Sequence, residues 1–324
     1  MARLGQMYGP DVTFLGVDRC DLEDRGSYDG ADVVILGAPF DGGTSYRSGA
    51  KFGPQAIRIT DYLPHDASRP HVALKVDALA DLRVLDAGDV LLPPGEMQTC
   101  LSRLEDSVRR VCEAGAVPLV LGGDHTIALP DVTGVSRVHG TGRASVIHFD
   151  AHADTGVDQF GSLYGHGTPM RRLIESGAAR GDRFLQVGLR GYWPEPPVWA
   201  WMAEQGMRSY EMTECVDRGL NTVLTEAFGI ASDDCDGVFL SVDIDVVDPG
   251  MAPGTGTPEP GGFTGRQLLD AVRRIACELP VLGVDVVEVS PAYDHADVTA
   301  MLANRVVLEV LSGMAWRRAH AAGA

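Results

Sequence analysis

The sequence has few cysteines, and none of them are paired by spacing. Its six cysteines are scattered through 324 residues without a CxxC motif: Cys20, Cys100, Cys112, Cys215, Cys235 and Cys277. The missing CxxC pairs exclude a zinc ribbon and a thioredoxin-like redox centre. The spacing favours free thiols in a reducing compartment.

Basic residues are scarce relative to acidic ones. The chain has 27 Lys and Arg against 45 Asp and Glu, which gives a formal net charge of −18. Such a charge repels nucleic acids and anionic membrane surfaces, so neither is expected as a partner. It attracts cationic small molecules and metal ions, and bound metal would neutralise part of it.

Long apolar runs are missing as well. We expect no membrane-spanning helix, because no run approaches the roughly 20 apolar residues that such a helix needs. The first 16 residues, MARLGQMYGPDVTFLG, lack the apolar centre of a signal peptide. The sequence therefore predicts a cytoplasmic protein without a membrane partner.

The sequence does contain short apolar runs that alternate with helical patterns. Most runs are continuously apolar, which is typical of strands covered on both faces; they span 32–39, 117–124, 145–152, 184–190, 237–245 and 281–289. Helices are predicted over 96–115, 264–279 and 298–318, the second with Thr264 as its N-cap. This alternation predicts an α/β fold with a mostly parallel sheet and helices on both sides. No linker or repeat divides the chain, so we expect one domain over residues 1–324.

Ionisable residues follow four of the predicted strands. The motifs are GGDH (122–125), DAHAD (150–154), DID (243–245) and VEVSP (287–291). The carboxyl ends of parallel strands lie at one edge of a sheet, so we expect all four motifs to meet there. A single aspartate at a strand end is usually a helix cap. Several buried carboxylates without Lys or Arg partners instead indicate a metal site.

Six of these residues are predicted metal ligands: His125, Asp150, His152, Asp154, Asp243 and Asp245. Their four carboxylates would balance two divalent cations. Oxygen donors with two imidazoles suit Mn²⁺, Fe or Co better than the thiolate sites of structural zinc. Two cations about 3.5–4 Å apart would lower the pKa of a shared water to about 7. We interpret His148, on the same strand, as a hydrogen-bonded core histidine.

In this order and spacing, the motifs resemble those of the ureohydrolase (arginase/agmatinase) family of binuclear manganese enzymes. GGDH, DAHAD, SVDIDVVDP and VEVSP carry the resemblance over about residues 30–315. The loops GAPFDGGTSYRSGAKFGP and PGTGTPEPGG resemble its agmatinase-like, guanidino-acid hydrolase branch. The resemblance implies the arginase-like fold, a three-layer α/β/α sandwich. It also implies two Mn²⁺ per chain, bridged by Asp150 and Asp243, with His125 and Asp154 on one ion and His152 and Asp245 on the other.

The resemblance also implies hydrolysis of a guanidino compound to urea and an amine. Glu288 would pair with the guanidinium, and Asp154 would hydrogen-bond the NH₂ group that forms. His166, in GHGTP, would carry a proton to the leaving amine, for which its ordinary pKa near about 6.5 is suited. The family commonly forms trimers or hexamers, so a homo-oligomer is expected.

The loop TGVDQFGSLYGHG (155–167) is the part of the sequence that indicates which group the substrate has at the end away from its guanidinium, here called the tail. It lacks the asparagine with which arginases grip an α-amino acid, so arginine is not expected. Agmatine suits Asp158, and we predict Asp158 and Tyr164 as substrate-binding residues beside Glu288 and His166. A guanidino acid such as 4-guanidinobutyrate, with Arg190 or a neighbouring subunit supplying positive charge, is the alternative. A larger guanidino metabolite stays open, as does a non-catalytic metal-binding subunit.

Overall fold

The computed structural model describes residues 12–63 and 68–321, so most of the N-terminal segment considered for a signal peptide lies outside the described residues. Within the described ranges the strands are β1 (Asp18–Arg19), β2 (Val33–Gly37), β3 (Val84–Asp89), β4 (Val117–Leu121), β5 (Ala144–Phe149), β6 (Phe184–Leu189), β7 (Arg208–Glu211), β8 (Gly237–Asp243) and β9 (Val281–Val287). The α-helices are α1 (Gly53–Ile59), α2 (Ala78–Asp81), α3 (Met97–Glu113), α4 (Ala128–His139), α5 (Pro169–Glu175), α6 (Pro196–Glu204), α7 (Met212–Arg218), α8 (Leu220–Ala231), α9 (Gly265–Glu278) and α10 (Val298–Ala321).

All nine strands belong to one parallel sheet. Their order is β1-β3-β2-β4-β9-β8-β5-β6-β7, and every neighbouring pair is parallel. The six predicted strands are confirmed as β2, β4, β5, β6, β8 and β9. Parallel neighbours need a crossover connection, which places helices on the faces of the sheet.

Two hydrophobic cores lie on opposite faces of the sheet. On β2, Val34 and Leu36 pack in one core with Leu104 of α3, while Ile35 packs in the other with Leu268 of α9. Successive side chains of a strand point to opposite faces, so a continuously apolar strand feeds both cores. The predicted three-layer α/β/α sandwich is confirmed.

The three predicted helices are confirmed with small differences at their ends. Thr264 caps α9 in a capping box: its Oγ1 accepts from Gln267 N at 3.2 Å, and Gln267 Oε1 accepts from Thr264 N at 2.9 Å. The expectation that no segment reaches membrane-spanning length needs correction, because α10 qualifies by length and composition. However, 61% of its most apolar window is buried inside the protein, as in the core helices of many globular proteins.

Candidate active site

Four neighbouring strands at the centre of the sheet carry the ionisable motifs. β4, β9, β8 and β5 are consecutive in the sheet order and all run in the same direction. Asp150 and Glu288 directly follow β5 and β9, and Asp243 ends β8. The four motifs therefore lie at one edge of the sheet, as the sequence predicted.

His125 lies at the centre of a group of carboxylates. Its Nδ1 is 3.0 Å from Asp150 Oδ2, 3.1 Å from Asp154 Oδ2 and 3.2 Å from Asp243 Oδ2. All four side chains are buried. Bonds of about 2.1 Å at right angles separate two ligand atoms by about 3 Å, so these spacings fit donors around one metal ion.

The hydrogen bonds behind His125 fix its tautomer. Ser241 Oγ donates to Asp285 Oδ1 at 2.7 Å, so it accepts from His125 Nε2 at 2.9 Å. In the neutral ring the hydrogen therefore sits on Nε2, and Nδ1, which has no hydrogen-bond partner among the described residues, keeps its lone pair. Metal-binding histidines are held in this way by a partner on the other ring nitrogen.

A second group of ligand atoms lies around His152. Its Nδ1 is 3.1 Å from Asp245 Oδ2 and 3.5 Å from Asp150 Oδ1. Asp150 therefore turns one carboxylate oxygen toward each histidine, which is the arrangement that a shared ligand requires. Asp150, His152 and Asp245 form a donor set that could hold a metal ion.

His148 lies beside the first group but turns a hydrogen atom toward it. Gln186 Nε2 is 2.7 Å from Ala153 O, which can only accept, so this end of the side chain is the amide NH₂. The same NH₂ lies 3.2 Å from His148 Nδ1, which accepts from it. His148 Nε2 consequently donates to Asp150 Oδ2 at 2.8 Å. This geometry agrees with a core histidine that orients Asp150 rather than a metal ligand.

The carboxylates favour positive charge at both histidines. Burial opposes charging of His125, but the three aspartates that face Nδ1 raise its pKa well above the ordinary value. Burial also opposes charging of His152, whose pKa is raised well above the ordinary value by Asp245 and Asp150. A divalent cation would compensate the same carboxylates in place of these protons.

Glu288 connects the metal-ligand group to His166. Its Oε1 accepts from His125 N at 2.7 Å and from His166 Nδ1 at 2.9 Å. Burial opposes charging of His166, yet the carboxylate of Glu288 raises its pKa to about 9. Glu288 and Asp154 both have positive φ, 65° and 52°. Such backbone strain in residues other than glycine is concentrated at functional sites.

The second oxygen of Glu288 is buried without a partner. Oε2 makes no hydrogen bond within the described part of the chain, although the residue is 1% exposed. A Cβ placed on Gly256 would lie 3.2 Å from Oε2 and 3.2 Å from Arg47 O. A side chain at Gly256 would therefore crowd this unsatisfied carboxylate oxygen.

A cavity of about 340 Å³ opens onto His166 and onto three of the predicted metal ligands, His152, Asp154 and Asp243. Its lining comprises Ser45, His152, Asp154, Asp158, Gln159, Phe160, His166, Gly167, Trp193, Asp243 and Thr257. Asp158 therefore lies where the sequence predicted a substrate-binding residue, whereas Tyr164 is not part of this lining. No Lys or Arg of the described residues lines the cavity.

Sequence reasoning missed several residues of this cavity. Gln159 Nε2 donates to Gly43 O at 2.7 Å, and Gln159 Oε1 accepts from Gly167 N at 3.0 Å, so this side chain ties the 155–167 loop to the first glycine-rich loop. Ser45, in that glycine-rich loop, contacts His166. Trp193 lies beside Gly156 and Gly167. The only sequence feature that could have pointed to Gln159 was its polar side chain within the 155–167 loop.

Three other polar residues near the site do not contribute to the cavity or to the metal-ligand group. Arg190, considered as a source of positive charge for an acidic substrate, donates instead to backbone carbonyls, including Asp245 O at 2.6 Å and Glu259 O at 2.7 Å. It therefore braces the loop after β8. Thr168 Oγ1 donates to Leu163 O at 2.9 Å and does not reach the metal-ligand group. His295 is exposed outside the cavity lining.

Comparison with known proteins matches this geometry to one family. The Arginase family model matches residues 31–313. Proclavaminate amidinohydrolase of Streptomyces clavuligerus is 39% identical over 90% of this chain and 90% of its own length, and its solved structure superposes with a TM-score of 0.85, 35% identity and coverage of 96% and 99% of the two chains. Guanidinopropionase of Pseudomonas aeruginosa is 38% identical over 90% of this chain and 89% of its own. Mitochondrial agmatinase of Gallus gallus is 38% identical over 88% and 82%.

Proposed function

This chain belongs to the arginase family, and from that premise we propose that it is a binuclear manganese enzyme that cleaves agmatine to putrescine and urea. The family assignment makes the chain an amidinohydrolase of guanidino compounds. The choice of agmatine, of manganese and of two ions per chain is the proposal.

The observation that carries the proposal is the unsatisfied oxygen of Glu288. A buried carboxylate oxygen without a donor is costly, and a guanidinium N–H is a donor that also compensates its charge. Gly256 has no side chain to crowd this oxygen, and Arg47 O lies near the same position as a second acceptor. A guanidinium bound there would lie close to the carboxylates around His125.

The charges of the cavity support a substrate with two positive groups. The four carboxylates of the predicted ligand set are balanced by two divalent cations. Two further carboxylates lie outside that set: Glu288, which pairs with His166 through Oε1 only, and Asp158. Glu288 would pair with the guanidinium of agmatine. Asp158, exposed at the cavity, would attract the amine at the other end, and the lining contains no Lys or Arg to hold a carboxylate instead.

Two metal ions fit the two groups of ligand atoms, with Asp150 shared between them. Oxygen-rich donor sets with one imidazole each suit Mn²⁺. Such a pair supplies an acidified, oriented water for attack on the guanidinium carbon. Three residues of the chain perform the other steps. Glu288 orients the guanidinium, and Asp154 accepts a hydrogen bond from the NH₂ group that forms. His166 supplies a proton to the leaving amine.

A guanidino acid is the second candidate, and Arg47 is the observation that favours it. The Arg47 guanidinium lies 5.3 Å from the ring centres of both Tyr46 and Tyr293. It forms no ion pair with a carboxylate in the described part of the chain. Arg47 could therefore turn toward a substrate carboxylate, which would agree with the printed name of the relative guanidinopropionase.

Urea release from a panel of compounds tests both candidates. The Mn²⁺-loaded protein would be assayed with agmatine, 4-guanidinobutyrate, 3-guanidinopropionate and arginine, with His166→Ala as the inactive control. We expect the highest kcat/KM with agmatine. A tenfold preference for a guanidino acid, lost in Arg47→Ala, would replace agmatine by the second candidate.

We also propose a cytoplasmic homo-oligomer, either a trimer or a hexamer. Its support, besides the resemblance, is a set of exposed apolar side chains on the loops near the cavity. Phe160 is 90% exposed and Tyr192 is fully exposed. Contiguous exposed apolar surface commonly marks a protein interface. Sedimentation equilibrium would give the mass of the assembly, and a monomer at micromolar concentration would contradict this part.

A further inference from the structure

Both ring nitrogens of His166 are engaged by protein groups. Nδ1 lies 2.9 Å from Glu288 Oε1, while Nε2 lies 3.1 Å from Ser45 N and 2.6 Å from Ser45 Oγ. The histidine itself is 7% exposed, but Ser45 is exposed and lines the cavity. Both residues line the cavity, and Ser45 Oγ lies within hydrogen-bond distance of Nε2, so a proton on Nε2 can pass to the Ser45 hydroxyl.

The two groups of Ser45 suit the two protonation states of His166. A backbone N–H can only donate, so Ser45 N stabilises the neutral ring, in which Nε2 has a lone pair and Nδ1 donates to Glu288. In the charged ring, Nε2–H needs an acceptor, and Ser45 Oγ is one. Ser45 can therefore hold His166 both before and after His166 gives up its proton.

We propose that Ser45 relays the proton from His166 to the leaving amine. This inference rests on the proposed function, because it assigns a route to a proton that hydrolysis of a guanidinium requires. A serine hydroxyl can accept one hydrogen while donating another, so Ser45 Oγ can take the proton of Nε2 and give its own to the leaving nitrogen. Ser45 thus acts as a catalytic residue that touches the leaving nitrogen.

The step balances without a further reactant. Ser45 Oγ–H passes to the nitrogen of the breaking C–N bond while Oγ takes the proton from His166 Nε2. The electron pair of the C–N bond stays on the leaving nitrogen, and Ser45 ends as a hydroxyl. His166 ends neutral and regains its proton from the water that adds to the guanidinium carbon. Both hydrogens of that water finally reside on the amine, and its oxygen resides in urea.

The charged groups that face His166 predict how loss of the hydroxyl changes the pH profile. Glu288 follows β9, Asp124 follows β4 and Asp154 follows β5, and all three carboxylates favour the charged ring against the opposing effect of burial. Removing Ser45 Oγ takes away the acceptor for Nε2–H but leaves these carboxylates in place. The charged ring loses stabilisation, so the basic limb of the kcat profile should move to lower pH.

The isosteric pair Ser45→Thr and Ser45→Val tests the relay. Both variants keep the backbone N–H and occupy the same volume, and they differ in the hydroxyl alone. We expect Ser45→Thr to stay within about threefold of the wild-type kcat for agmatine, while Ser45→Val loses about 100-fold, the lower range for a positioned acid–base group. KM should change little. Ser48→Ala, on the same loop and without a side-chain contact to His166, is the matched control.

A second measurement reports the contact without turnover. Histidine ¹⁵N spectra of the Zn²⁺-loaded protein should show a lower His166 pKa in Ser45→Val than in Ser45→Thr. Equal kcat, equal pH limbs and equal ¹⁵N titrations in the two variants would overturn the relay, and urea release by the wild type would still support the proposed function. Failure of the wild type to release urea from any compound would overturn the proposed function and the relay with it.

Discussion

Asp158 is the exposed carboxylate among the residues that line the cavity, and it defines the first test at the scale of single residues. Its Oδ1 accepts from Gly161 N at 2.8 Å, so the other oxygen can face a substrate amine. An exposed ion pair contributes about 0.2–1 kcal/mol. Asp158→Asn should therefore raise KM for agmatine by roughly 1.4- to fivefold and leave kcat nearly unchanged.

Two controls separate this attraction from a general loss of activity. KM for 4-guanidinobutyrate should not rise in Asp158→Asn, because that substrate has no amine tail. Asp217→Asn, which neutralises an exposed carboxylate on α7, should change neither KM. An equal rise in KM for both substrates would show that Asp158 does not interact with the charge on the substrate tail.

We expect Gln186 to influence metal affinity through His148. Its amide NH₂ holds His148 Nδ1 as an acceptor, so Nε2–H points at Asp150. Gln186→Leu removes this control and allows the other tautomer, which would turn a lone pair toward the Asp150 carboxylate. Loss of such an outer hydrogen-bond partner typically weakens metal binding by about 10–100-fold.

Competition with a chelator would measure this change in Mn²⁺ affinity. Ser209→Ala is the milder comparison, since Ser209 Oγ donates to Gln186 Oε1 at 3.0 Å and lies one step further from the metal ligands. We expect a smaller loss of affinity there than in Gln186→Leu. An unchanged Mn²⁺ affinity in Gln186→Leu would mean that His148 does not orient Asp150.

At the scale of elements, strand order explains why so much of the metal-ligand group could be predicted. Ligands at the ends of β4, β5 and β8 need only a parallel sheet to share an edge, and the apolar runs predicted that sheet. The structure adds that these strands are consecutive neighbours with β9. Adjacent strands lie about 4.8 Å apart. Side chains at or just beyond the ends of neighbouring strands are therefore close enough to bind the same ion.

The elements that were missed lacked a pattern or were defined by distant contacts. β7, RSYE, is a four-residue edge strand with three polar residues, and the last three residues of β3 are half-buried because β1 pairs with only part of it. The contacts of Ser45 with His166 and of Gln159 with Gly43 join loops more than 110 residues apart. Such contacts depend on loop conformation, which no local periodicity encodes.

The packing of α1 against the sheet depends on a buried ion pair. Arg58 of α1 donates through Nε to Asp86 Oδ2 at 2.9 Å and also contacts the half-buried Asp89, both on β3. Arg58 and Asp86 are buried, so no water can replace the guanidinium beside Asp86. Arg58→Met would leave the buried Asp86 carboxylate without its cationic partner and should lower the free energy of unfolding by about 3–5 kcal/mol.

Urea denaturation would measure this loss. The matched control is Arg266→Met on α9, whose side chain is 89% exposed. We expect a change within about 0.5 kcal/mol there. A loss in Arg58→Met no larger than in the control would contradict a structural role for the ion pair between α1 and β3.

For the whole molecule, the net charge of −18 and the cluster of carboxylates around His125 lead us to expect that bound metal ions raise the free energy of unfolding. An ion that binds the folded chain alone stabilises it by about 2.7 kcal/mol at 100 times its Kd. For a chain of 324 residues, with an unfolding entropy of about 2.1 cal/mol/K per residue, we expect Mn²⁺ at that concentration to raise Tm by roughly 4 °C. Asp150→Asn, which removes the shared ligand, should show a much smaller rise.

The rise in Tm should also depend on pH, in a direction that follows from His125 and His152. Their pKa values are raised well above the ordinary value by the neighbouring carboxylates, so near neutral pH the metal must displace protons from both rings. Lower pH favours the competing protons, and the Mn²⁺-induced shift in Tm should therefore be smaller at pH 6 than at pH 8. Calorimetry at the two pH values, with and without Mn²⁺, would measure it. An equal shift at both would mean that metal binding releases no protons, and that these two histidines are not ligands.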